Sequence, residues 1–428
     1  MRIGAGAGFA GDRIEPAVRL AEHGGLTDLV LECLAERTIA LGQQRRLADP
    51  RAGYDPMLRA RLAPLLPVAL RRGVRVLTNM GAANPLAAGR EVRALLDESG
   101  LGGRVAVLTG DDVLDRLDLS APALEDGRPL GGHGEVISAN AYLGAGALLP
   151  VLESGAQVVL TGRVADPALF LAPIADRLGW DLADPRRAAA GTLVGHVLEC
   201  AGQVTGGYTA DPGVRDVPGL AELGFPFAEV RGDGSAVLGK LPGTGGALTR
   251  ATVREQLLYE VTDPSGYRTP DVVLDFRGVV AERLGPDRVR ISGARGRPRP
   301  AELKVSVGYR AGFRAEAEIS YAGPGADRRA RLAADVLRTR LAGADLRLRA
   351  EVRGGPEDCR TRLAALAAER ATAELACHEL EALYTNGPAG GGGVRTAVRE
   401  VIGVVSALLP RDRVEPEVTV LEAGDAAA

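Results

Sequence analysis

Three short apolar segments in the first half of the chain end in nearly the same way: Val76-Leu77-Thr78-Asn79, Val107-Leu108-Thr109-Gly110 and Val159-Leu160-Thr161-Gly162. Such runs are too short for a buried helix, and their small, polar exits are turn chemistry. Set between segments of helical period, they predict βα units feeding a buried parallel sheet. Strands are predicted over residues 2–6, 28–32, 74–78, 105–109 and 157–161, and helices over 16–23, 35–47, 57–72, 86–99 and 142–154. The intervals between units differ, so this is not a repeat array.

At 428 residues the chain exceeds one comfortable core. From residue 191 the pattern loosens into a helix over 192–203 and Gly/Pro-rich stretches over 205–226 and 240–246. Leu284-Gly285-Pro286-Asp287 reads as the turn of a hairpin between 272–281 and 289–291. Period-two alternation over 303–309 and 313–321 is followed by predicted helices over 327–341 and 356–383. The expected fold is therefore α/β: a mostly parallel Rossmann-like sheet with flanking helices over 1–285. A smaller C-terminal α+β domain over 286–428 follows, with a Gly-rich loop at 386–393 and a frayed tail at 423–428.

A net charge of −3 without a Lys/Arg block excludes a nucleic-acid footprint. No run reaches the ~18 apolar residues of a membrane span, so a cytoplasmic protein is expected. The four cysteines show no C-x-x-C spacing, which argues against disulfides and zinc, and no metal site is expected.

Ligands of open α/β sheets bind outside the carboxyl ends of the strands. Those ends carry Gly8, Gly11, Asp12 and Arg13; Glu32 and Arg37; Asn79 and Asn84; Asp111 and Asp112; and Arg163 and Asp166. Gly6, Gly8 and Gly11 form a G-x-G-x-x-G match, with Glu32 in the place of a ribose-binding acid. Pro16, however, moves the helix start to residue 14 or 15, beyond the glycines, which favours an anion-gripping loop over a dinucleotide loop. Arg13, Arg37 and Arg163 are candidate anion grips, and Glu32, Asp111, Asp112 and His196 candidate acids and bases. Helix capping competes with these roles at Glu36, Asn84, Asp112 and Asp166. His133 lies in a glycine loop that reads as a lid, and Asn386-Gly387 opens a glycine run that reads as an amide nest or a loose loop.

Taken together, Gly4–Arg13, Glu32–Thr38, Gly53-Tyr54-Asp55-Pro56, Thr78–Pro85, Thr109–Asp112, Thr161–Pro167, Gly206-Gly207-Tyr208 and Asn386-Gly387 resemble the acyclic terpene utilization family, AtuA type, over nearly the whole chain. The family takes its name from a catabolic cluster that degrades citronellol- and geraniol-type compounds through branched acyl-CoA intermediates. The resemblance implies a place in that chemistry without supplying a reaction. Some members carry, or are encoded beside, a further small C-terminal domain, which implies a small partner protein here.

The expectation is a lyase of hydratase or dehydratase type, acting on a hydroxylated or unsaturated carboxylic acid or acyl thioester. Water addition needs an acid, a base and charge stabilisation beside a carbonyl, but no nucleophile or redox group. No G-x-S-x-G elbow is present, and no cofactor is named by the residues. An NAD-dependent oxidoreductase, and a non-catalytic subunit of a two-component enzyme, are the alternatives. A homo-oligomer is expected.

Overall fold

The computed structural model describes residues 1–425; residues 426–428, at the end of the expected tail, lie outside it. The chain divides into two compact units that are discontinuous in sequence, where a single boundary at 285/286 was expected. The larger holds residues 1–127, 138–307 and 405–425; the smaller holds 128–137 and 308–404.

The first eight strands are β1 (Arg2–Ala7), β2 (Asp28–Leu31), β3 (Arg75–Thr78), β4 (Val105–Thr109), β5 (Val136–Ala141), β6 (Val158–Thr161), β7 (Pro226–Val230) and β8 (Ala236–Lys240). They are followed by β9 (Tyr267–Arg268), β10 (Val273–Asp275), β11 (Val280–Gly285), β12 (Arg288–Ser292) and β13 (Arg295–Arg297). The last five are β14 (Glu302–Ala322), β15 (Leu346–Gly354), β16 (Asp358–Ala367), β17 (Gly391–Pro410) and β18 (Glu417–Leu421). The larger unit is built on a ten-stranded sheet in the order β11-β12-β8-β7-β1-β2-β3-β6-β4-β18.

Only its centre, β1-β2-β3-β6-β4, is parallel. The flanking pairings are antiparallel, so the sheet is mixed rather than mostly parallel and Rossmann-like. The reason is connectivity. β7/β8 and β11/β12 are tight hairpins, which can pair only antiparallel. The first arises between the two stretches that read as Gly/Pro-rich, 205–226 and 240–246. The second begins at Val280, while Val273–Asp275 joins a separate three-stranded sheet, β13-β10-β9.

The helices are α1 (Glu15–His23), α2 (Glu36–Ala48), α3 (Leu58–Arg71), α4 (Pro85–Glu98), α5 (Ala145–Glu153), α6 (Ala168–Leu178), α7 (Pro185–Leu198) and α8 (Arg250–Leu258). The first five lie within a few residues of the periodicity reading. They cover strands such as Leu29-Val30-Leu31 and Val105–Leu108 that are buried on both faces, as a parallel centre requires. Asp28 opens β2 fully buried, its carboxylate 2.7 Å from Arg75 Nε and 3.2 Å from Arg177 Nε. Among the described residues no helix is long and apolar enough to cross a membrane.

The smaller unit carries the strand order β15-β16-β14-β17, with α9 (Ala326–Arg340) and α10 (Arg370–Glu381). Ile319, Tyr321 and Leu363 of the sheet share a core with Ala330, Leu337, Ala376 and Leu380 of the helices. The helix expected over 356–383 is corrected: Asp358–Ala367 is a strand, and helix begins only at Arg370. Cys359, Thr361, Leu363, Ala365 and Ala367 alternate inward, but alanine and leucine also favour helix, which hides the period of two. The glycine run after Asn386 is no nest, because Gly391–Gly393 already belong to β17.

Candidate functional site

The carboxyl ends of the parallel strands converge as expected, and they hold one another in place. Glu32, just past β2, is buried; its Oε1 accepts from Leu34 N at 2.9 Å and from Asn79 Nδ2 at 2.8 Å. Asn79, just past the neighbouring β3, also accepts from Cys33 N at 2.7 Å. Burial and the nearby Asp166 push the Glu32 carboxyl well above its ordinary value, against the pull of Arg163 and Asn79. Past β4, Asp111 accepts from Asn140 Nδ2 and from Arg163 N, both at 2.9 Å. Burial raises its pKa to about 6. A Cβ at Gly162 would lie 2.5 Å from Asp111 Oδ1, so any larger residue at this strand exit would displace the Asp111 carboxylate.

Arg163 is buried with both terminal nitrogens engaged, Nη1 donating to Leu34 O and Nη2 lying 2.9 Å from Asp166 Oδ1, while its Nε has no hydrogen-bond partner. Its guanidinium stacks 4.1 Å over the Tyr142 ring. The Tyr142 hydroxyl donates to Glu36, and Lys304 Nζ lies 3.1 Å from the same carboxylate. Burial opposes ionisation of Glu36, but Tyr142, Arg163 and Lys304 outweigh it and bring the pKa down to about 2.

These residues form one wall of a cavity of about 860 Å³, lined entirely by the larger unit. That volume is within the range of small-molecule sites. The lining also includes Gly8, Glu199 and Cys200 at the end of α7, Tyr259 and Glu260 after α8, and Tyr267 and Arg268 of β9. A Cβ on Gly8 would lie 2.3 Å from the Cys200 carbonyl carbon, so the first strand's exit packs directly on the end of α7. Glu260 holds a left-handed φ of +59°, a strained conformation of the kind that concentrates at functional sites.

Glu199 Oε1 lies 2.8 Å from Nδ1 of His196, one turn earlier in α7, while Oε2 is buried without a hydrogen-bond partner. Burial, with Asp166 and Glu260 nearby, raises the Glu199 carboxyl to about 7 even though His196 pulls it down. The buried His196 ring packs against Tyr267 and Phe276, with centroids at 5.2 and 5.3 Å, and those two rings also touch each other at 5.5 Å. Burial disfavours its protonation, but Glu199 outweighs that and raises its pKa.

Glu32, Gly8 and Arg163 thus reach the cavity, whereas Asn79, Asp111 and His196 stand behind residues that do. Asp112 is exposed, with Oδ1 3.4 Å from Leu114 N, and does not line it. Asn84 caps α4 and donates to the carbonyls of Pro50 and Ala52. Arg13 donates to the carbonyls of Leu220 and Ala221, and Arg37 is exposed; neither lines the cavity. Asn386 and Gly387 belong to the smaller unit and finish a short helix there. His133 also belongs to it, its ring 5.4 Å from Tyr309.

The glycine loop is neither a nucleotide cradle nor an open anion grip. Asp12 accepts from Gly8 N at 2.8 Å, and buried Arg61 donates to the carbonyls of Ala10 and Asp12 at 3.0 and 2.9 Å. Gly11 sits beneath the Phe9 ring and outside the lining. Burial raises the Asp12 carboxyl, with Gly8 N and Arg61 acting against it. Among the described residues no cluster of His, Cys, Asp and Glu could hold a metal ion, and all four cysteines are free.

Tyr142, Glu199, Tyr267, Arg268 and Lys304 were not among the sequence candidates. The one signal they carried was Lys304, one of only two lysines in the chain. The model of a family described as acyclic terpene utilisation family protein AtuA matches residues 1–420. No curated protein and no solved structure matches the chain.

Proposed function

This chain belongs to the acyclic terpene utilisation family, and from that premise we propose that it is an enzyme of hydro-lyase type. Its substrate is a hydroxylated or unsaturated carboxylic acid, or the corresponding acyl thioester. The observation that carries this reading is Glu199. Burial brings its carboxyl to about 7, one oxygen is held by His196, the other is buried without a hydrogen-bond partner, and the residue lines the cavity. A carboxyl poised near neutrality can both give and take a proton, which is what water addition and elimination require.

In elimination Glu199 gives its proton to the departing hydroxyl as the C–O bond breaks. The carboxylate so formed takes the proton released from the carbon beside the carbonyl; addition runs both transfers in reverse. Glu32, its pKa pushed well above the ordinary value by burial and by Asp166, donates in its protonated form to the substrate's carbonyl oxygen as charge develops there. Glu36 stays ionised and holds Tyr142 and Lys304 in place. Asp111 and Asn79 position the strand exits that carry Arg163 and Glu32.

The test is proton exchange. The protein is incubated in D2O with medium-chain 2-enoic and 3-hydroxy acids and their thioesters, and deuterium beside the carbonyl is followed by NMR. Glu199→Gln is expected to slow exchange and turnover by roughly 10²–10⁴-fold. An unchanged rate in a folded Glu199→Gln protein would remove the assignment.

A further inference from the structure

The cavity's cations are not equivalent. Arg163 is engaged by Asp166 and the Leu34 carbonyl, and Lys304 by Glu36. Arg268 lines the same cavity, is exposed, and has no ion-pair or hydrogen-bond partner for its guanidinium among the described residues.

Its backbone, in contrast, is tightly held. Arg268 pairs with Val273 across β9 and β10. The turn between them is closed by Thr269, whose N and Oγ1 donate to Val272 O at 3.0 and 2.9 Å, while Oγ1 accepts from Val272 N at 3.1 Å. Asp271 fastens this turn to the start of α5 through Ala145 N at 2.9 Å, and Arg411 donates to the Pro270 carbonyl. A buried, bonded turn therefore presents one uncommitted guanidinium to the cavity. Beside it lie apolar Pro270, Val273, Leu303 and Leu408.

We propose that Arg268 is the specificity-determining cation of the site. It binds an oxyanion of the substrate, and the substrate's hydrocarbon chain lies against the adjoining apolar wall. A planar guanidinium with all its donors available matches a carboxylate or phosphate through paired hydrogen bonds. The cavity's other walls are rich in carboxyl groups, so an anionic ligand has one favourable place for its charge. This inference rests on the hydro-lyase reading for the reacting carbon, but concerns the anion that is recognised: the carboxylate itself in a free acid, the distant phosphate in a thioester.

Binding is measured by calorimetry on the full chain with decanoate, decanamide and the S-decanoyl thioester of 4′-phosphopantetheine. At least one anionic probe is expected to bind about tenfold or more tighter than the neutral amide. In Arg268→Gln that probe falls to the level of the amide. In Arg268→Lys, which keeps the charge without the fork, it keeps part of its advantage. A preference for decanoate identifies a carboxylate as the partner, and a preference confined to the thioester identifies the phosphate. The proposal is overturned if the unaltered protein shows no preference for either anion, or if the substitutions weaken the amide equally. Should Arg268→Gln fail to fold, Arg268→Lys decides, because full retention of affinity by a lysine rules out the paired geometry. Arg268-dependent binding without deuterium exchange would sink the reaction class and leave this inference standing.

Discussion

At the scale of single residues, the site is a set of carboxyl groups sorted by environment. Glu36 is held ionised by Tyr142, Arg163 and Lys304, while burial pushes Glu32 well above its ordinary value and brings Glu199 to about 7. A pH–rate profile is therefore expected to show a limb at about pH 7. In His196→Gln the limb moves upward, because losing the cation that favours ionised Glu199 raises that carboxyl further. An unmoved limb would separate Glu199 from the kinetics. The same group bears on stability. The folded state keeps the Glu199 proton up to about pH 7, and the unfolded chain only to its ordinary 4.5. The folded state thus binds more protons between these values, and stability falls as pH rises through that window. Thermal melts of Glu199→Gln should show a shallower slope there. Gly8→Ala is expected to cost about 1–3 kcal/mol, because its Cβ would press on the Cys200 backbone rather than on a movable side chain. A denaturant titration reads this directly.

At the scale of elements, what was legible in the sequence is what neighbours in sequence decide. The parallel centre was visible because each of its strands is a short aliphatic run with a polar exit, and Glu32 and Arg163 could be named because they sit at those exits. Glu199, Tyr142, Arg268 and Lys304 reach the cavity only through packing of segments distant in sequence, and no local pattern marks that. Arg13 shows the opposite error: its place beside the glycines suggested an anion grip, yet its guanidinium is spent on the carbonyls of Leu220 and Ala221. The alternating strand β16 was hidden by alanines that suit either structure. Asp28 at the start of β2 offers an element-scale test, since it joins β2 to Arg75 of β3 and to Arg177 of α6. Asp28→Ala should lower stability by about 3 kcal/mol, because it leaves buried Arg75 with only Asp176. Equilibrium unfolding in urea checks the value.

At the scale of the molecule, the larger unit is interrupted by residues 308–404 and completed by the chain that follows. β18 pairs with β4 from Glu417↔Thr109 to Leu421↔Val105, and Leu421 fills the space beside Gly89 of α4. Removing residues 417–425 should uncover the β4 edge, lower the thermal midpoint by several degrees and promote aggregation, seen by light scattering on heating. Residue 105, paired on its inner side with residue 158, meets its outer neighbour only when residue 421 has been made. During synthesis, the outermost parallel strand therefore waits as an open edge while most of the chain is still to come. Closure of so distant a pairing is slow, because the loop entropy is lost before any contact repays it. For this chain, the interval before the last strand docks is when it most needs protection from other nascent chains.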